Sequence, residues 1–202
     1  MTMTPRVSKI VLTSHITFSV GWFGAVAVFL ALAITGLTTL NIQLARSTYW
    51  AMELSTWFVI IPFCLASLLS GIVQALGTPW GLIKHYWILV KLLLTIGMTI
   101  LLLLHLKPIS FLAGVAADPL FENAKSSGLL IDLIAKTGAA ILVLLATTTI
   151  SIYKPWGKTP FGQPSNPKQV AKRSLSFYLF TGLIILIVIF VLTHLFGGGM
   201  SH

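Results

Sequence analysis

The sequence predicts an all-α fold: a polytopic transmembrane helix bundle of five spans, with a four-helix core and one accessory C-terminal helix. Three observations carry this reading. The 202-residue chain is 56% hydrophobic and only 8% charged, with a mean hydropathy of +0.96, whereas soluble domains carry about 25% charged residues. Five apolar runs reach the roughly 20 residues that a helix needs to cross a bilayer. The Lys and Arg residues outside the runs favour one side, eight against three, as the positive-inside rule expects. A formal charge of +9 would by itself also suit nucleic acid. These basic residues are scattered among membrane-length apolar runs, so the expected partner is the lipid bilayer and not nucleic acid.

The first run, 10–35, follows Arg6 and Lys9 and has small residues at Ala31 and Ala33. Its apolar stretch is too long for a signal peptide and is read as a helix. The second, 54–76, begins just after Glu53. The third, 82–106, carries Lys91 about halfway along its apolar stretch. The fourth, 129–152, has Asp132 and Lys136 one helical turn apart, placed to neutralise each other. The fifth, 176–196, has few polar groups before His194 and ends in a Gly-rich tail. Two connections are long. The outer one, 107–128, contains Pro108 and Pro119. The inner one, 154–173, holds four prolines and five basic residues, so an extended chain hugging the headgroups is expected. The organisation is thus a membrane core at 1–155, a basic Pro-rich cytoplasmic linker at 156–175, and an accessory helix with its tail at 176–202.

Five spans put the termini on opposite sides. Arg6, Lys9, Lys84, Lys154, Lys158, Lys168, Lys172 and Arg173 share one side, against Arg46, Lys107 and Lys125 on the other. The N-terminus is therefore expected in the cytoplasm and the C-terminus outside. Aromatic rings are expected at both interfaces: Trp80, Tyr86, Trp87, Tyr153 and Trp156 inside, with Tyr49, Trp50 and Trp57 outside. The single Cys64 excludes an intrachain disulfide and reads as a small buried residue.

Lys91 is the costly residue, since a lysine near a span centre costs about 2.5 kcal/mol or more. In helical steps it shares a stripe with Lys84, Trp87, Thr95, Met98, Leu102 and His105. His15 lies roughly 8 Å into the first span and Lys91 roughly 13 Å into the third from the same side. Trp22 shares the His15 face. An imidazole with adjacent aromatics, at the depth of a lysine on another helix, has the composition of a haem slot. A hydrogen-bonded core histidine would look the same in sequence. His105, about 21 Å further along the helix from Lys91, suits either a second metal centre or a solvated interface. Lys84 suits a headgroup contact or a propionate. Four acids leave no material for a di-metal carboxylate site, and no phosphate loop, HExxH or Ser–His–Asp arrangement is present.

Several segments carry a family resemblance: 9–16 (KIVLTSHI), 21–24 (GWFG), Met52-Glu53, 87–105 (WILVKLLLTIGMTILLLLH) and, more weakly, Tyr153-Lys154-Pro155. In this order they resemble the superfamily of the bacterial haem-b-binding membrane protoporphyrinogen oxidase and the copper-resistance D-type membrane proteins. More narrowly, the chain looks like a bacterial integral-membrane family with GTPWG and HYW–VK segments. The resemblance implies haem binding at His15 and Lys91. It departs at 25–36, where the oxidase has a Pro-Arg pair and a second histidine but this chain is apolar apart from Thr35, so protoporphyrinogen oxidation is not implied.

The expectation is a haem-b-binding protein of a bacterial plasma membrane, with His15 and Lys91 at the metal and Trp22, Lys84 and Trp87 around the cofactor. It would work in electron transfer or in a quinone- or oxygen-linked redox step, as a haem-dependent oxidoreductase if it is an enzyme. The alternatives are a cofactor-free protein handling a small ligand or copper ion, and a structural membrane subunit. Gly71 and Ala75 allow close helix contact, within the chain or in a homo-oligomer.

Overall fold

The computed structural model describes residues 3–118 and 127–162. The expected fifth span, 176–196, the linker beyond 162 and the stretch 119–126 lie outside the described residues. What is described is all helical: α1 (Pro5–Thr38), α2 (Ile42–Ser55), a π-helical segment (Thr56–Ile60), α3 (Ile61–Gly77), α4 (Tyr86–Leu104), α5 (Leu106–Ala117), α6 (Ser127–Tyr153) and a 3-10 turn (Pro160–Gly162). Four stretches are long and apolar enough to cross a membrane: Pro5–Thr38, Ile42–Gly77, Tyr86–Ala117 and Gly128–Tyr153. The chain is a multi-pass membrane protein.

The helix ends differ from the sequence reading in three places, each for a local reason. The second span starts at Ile42 because Asn41 caps it, its side chain accepting from the Leu44 amide at 3.1 Å. Such a cap stabilises a helix by about 1 kcal/mol. The expected loop after Lys107 is instead α5. Pro108 falls in the first turn of that helix, where an amide hydrogen has no helical partner to lose. The third span therefore runs to Ala117, and Lys91 sits five residues from its start, not halfway along. Lys84 lies ahead of α4, in the bend before Tyr86, and so is off the helical stripe that carries Trp87 and Lys91.

The chain divides into two compact units. Over the described residues, the first comprises 3–15, 68–96 and 142–162; the second comprises 16–67, 97–118 and 127–141.

In the second unit, α1 buries Trp22, Val26, Phe29, Ala33 and Gly36, whose alternating steps of four and three make one stripe. Glycine is required where that stripe meets its neighbours. A Cβ on Gly36 would lie 2.7 Å from Tyr49 Cε1 and 2.8 Å from Thr48 Oγ1, and one on Gly21 would lie 2.6 Å from Phe63 Cε2. Tyr49 is thus fully buried against α1 and is not an interfacial ring. Ser19 and Ser67 share a hydroxyl hydrogen bond of 2.8 Å, as do the Cys64 thiol and the Thr99 hydroxyl at 3.2 Å. Helix α2 is held to α5 by Trp50 Nε1 donating to the Ala113 carbonyl at 3.2 Å, and Arg46 donates to the Asp118 carbonyl at 2.8 Å. The expected Asp132–Lys136 ion pair is present at 2.7 Å.

In the first unit, two connections 70 residues or so apart are bound into one cap. The Thr159 amide donates to the Lys84 carbonyl at 2.9 Å, the Thr159 hydroxyl to the Ile83 carbonyl at 2.6 Å, and the Tyr86 amide to the Gly157 carbonyl at 3.4 Å. His85 and Lys158 form an isolated antiparallel bridge. The Met3 amide, just ahead of α1, donates to the Gly77 carbonyl at 2.9 Å. The prolines of 154–162 do oppose helix, apart from the short turn at Pro160–Gly162.

Candidate functional site in the first unit

His15 is positioned by α3. Its Nδ1 lies 3.2 Å from Ser70 Oγ, and a Cβ on Gly71 would come 3.0 Å from His15 Cε1. A serine and a glycine side by side thus orient the ring and let it lie against the α3 backbone. In the tautomer in which Nδ1–H donates to Ser70, the lone pair sits on Nε2, the arrangement that suits a metal-ligating imidazole.

Lys91, in α4 of the same unit, is half-buried. The described part of unit one contains six Lys and Arg residues and no Asp or Glu. No Asp or Glu among the described residues of that unit is therefore available to pair with Lys91.

The cap is built on aromatic rings. The Trp80 carbonyl accepts from His85 Nδ1 at 2.8 Å. This contact fixes the His85 proton on Nδ1, because a carbonyl only accepts. The Trp80 ring meets His85 at 5.2 Å and Trp87 at 5.9 Å between centroids, both edge-on. Lys154 Nζ stands 4.7 Å from the Trp80 centroid and 5.7 Å from that of Trp87. Lys154 ends α6 with a φ of 45°, a left-handed conformation that costs a non-glycine residue about 1–2 kcal/mol. Its two cation–π contacts offset a comparable amount, about 0.5–2 kcal/mol. Pro155 then prevents the helix from resuming.

The sequence-predicted site residues separate between the units. His15, Lys84, Trp87 and Lys91 belong to the first; Trp22 and His105 belong to the second. Trp22 is buried in the α1 stripe of the second unit. His105 sits at the junction of α4 and α5, with Nδ1 donating to the Leu101 carbonyl at 2.6 Å. Lys84 is exposed, its side chain laid over Gly81, whose φ of 62° favours glycine. Sequence reasoning missed Ser70 as the partner of His15 and Lys154 as the cation on the tryptophans. Polar Ser70 beside Gly71 in an apolar run was the available signal for the first. The second had only the weak Tyr-Lys-Pro match.

Among the described residues no group of three or more His, Cys, Asp or Glu side chains is placed to hold a metal ion. A porphyrin supplies four of the donors itself, so haem needs only one or two from the chain. His15 is the candidate for such a donor. No family model, curated protein or solved structure matches the chain.

Proposed function

We propose that this chain is a haem-b-binding membrane protein serving electron transfer or a quinone- or oxygen-linked redox step, with His15 as axial ligand and Lys91 as the partner of a propionate. The observation that carries the reading is the pairing in depth of an oriented histidine and a lysine without a carboxylate. Ser70, the partner of His15, precedes the end of α3 at Gly77 by seven residues, about 10 Å, and Lys91 follows the start of α4 at Tyr86 by five, about 8 Å. If haem b binds, His15 would hold the iron and Lys91 would hold a propionate. The bound haem would supply the one-electron chemistry. The chain would orient the imidazole through Ser70 and neutralise the carboxylates through Lys91. The resemblance to the oxidase and copper-resistance D-type superfamily supports the same pair. The positive-inside rule supports placing the capped end in the cytoplasm, and the resemblance supports a bacterial plasma membrane.

The test is the haem and metal content of the full chain purified from haem-replete cells. The reading expects a Soret band and iron in proportion to protein. A colourless protein sinks it, and copper in such a preparation favours the small-ligand or copper reading instead.

A further inference from the structure

The cap of the first unit combines features that the haem reading does not use. Lys84, Lys154 and Lys158 are all exposed on it, and Arg6 and Lys9 are exposed on the opening turns of α1, which is tied to Gly77 through Met3. The hydrogen bonds between 83–86 and 157–159 hold Lys84 and Lys158 on one folded surface, where a loose loop would let them drift apart. Like charges fixed together repel, and the unit contains no Asp or Glu to relieve them. The relieving anion must come from outside the unit.

Exposed aromatic rings say where that anion resides. Trp80, Tyr86, Tyr153 and Phe161 are all exposed large rings on these connections or at the adjoining span ends. Amphipathic rings at span ends sit at the boundary between headgroups and acyl chains. A cationic surface in that layer meets phospholipid phosphates before any solute.

We propose that this cap is a binding surface for the headgroup of an anionic phospholipid, with Lys84 and Lys158 as its principal cations and the Trp80 and Tyr86 rings against the upper acyl chain. The surface does not depend on haem, and it selects the anionic lipid over a zwitterionic one because the whole unit lacks a compensating acid. A juxtamembrane lysine is worth roughly a five-fold change in affinity.

The experiment is native mass spectrometry of the full chain released from nanodiscs containing equal amounts of phosphatidylglycerol and phosphatidylcholine. Wild type should retain phosphatidylglycerol in clear excess. Lys84→Ala and Lys158→Ala should each lower that excess about five-fold, because each leaves the backbone hydrogen bonds of the cap in place. Lys107→Ala, an exposed lysine of the second unit, should leave it unchanged. Excess inorganic phosphate should displace little of the lipid. Equal retention of the two lipids by wild type overturns the proposal without any variant. So does an equal fall in Lys107→Ala, or complete displacement by inorganic phosphate. A haem-free preparation that keeps the lipid preference would separate this surface from the haem reading.

Discussion

The two units of this chain handle charge in opposite ways. Among its described residues the second has three basic and three acidic side chains, and one ion pair, Asp132–Lys136, closes within one turn of α6. Its helices meet through glycines, a buried tyrosine and small hydroxyl contacts. The first has six basic side chains and no acid among its described residues, and irregular connections tied by backbone hydrogen bonds. Charge that is matched inside a unit supports its packing. Unmatched charge, held in place, asks for a ligand. That contrast separates the structural role of Lys136 from the binding roles proposed for Lys91, Lys84 and Lys158.

The contrast can be broken most forcefully at Gly36. Gly36→Leu drives a side chain into Tyr49 and Thr48, and overpacking of this kind costs about 1–3 kcal/mol. A clear fall in the thermal midpoint is expected, while the folded fraction keeps its wild-type lipid preference. A Gly36→Leu protein as stable as wild type would mean that α1 and α2 do not pack as described.

Lys154 sharpens the account of the first unit. Lys154→Ala keeps the left-handed backbone and loses both cation–π contacts, so stability should fall by about 1 kcal/mol. Lys154→Gly loses the same contacts but relieves the backbone, which offsets about 1 kcal/mol. Chemical denaturation followed by tryptophan fluorescence should therefore rank wild type and the glycine variant close together, with alanine below both. Glycine and alanine variants of equal stability would remove the strain argument.

Smaller effects are expected at the polar contacts of the second unit. Thr99→Val removes the partner of Cys64 at nearly constant volume. Interhelical hydrogen bonds in membranes average about 0.6 kcal/mol, so a loss of stability of about that size is expected by chemical denaturation. Asp132→Asn should cost least, about 0.3–0.5 kcal/mol, and its effect should shrink as salt is raised. A loss of several kcal/mol in either variant would give these contacts a weight that the packing description denies them.

Much of the fold was legible in the sequence, because spanning a bilayer demands long apolar runs and four of them coincide with helices. The ends were less legible. Hydropathy does not register that Asn41 caps a helix or that Pro108 falls in a first turn, and so 42–53 fell outside the expected spans and 107–117 read as loop. It likewise gives no sign of the π-helical segment at Thr56–Ile60. His15 and Lys91 were legible as chemically costly residues in apolar surroundings. Their settings were not, because Ser70 is 55 residues from His15 and the hydrogen bonds joining Lys84 to Thr159 depend on tertiary structure. The acid-free character of the first unit is written in the sequence, yet it emerges only when three separate stretches are gathered into one body.

The central claim is that an oriented histidine of the first unit, and not one of the second, carries the cofactor. The most direct measurement is the visible spectrum of His15→Ala beside that of His105→Ala, each purified as the full chain from haem-replete cells. The account predicts a Soret band lost in His15→Ala and retained in His105→Ala. A band that survives in His15→Ala, or that disappears only in His105→Ala, would contradict it.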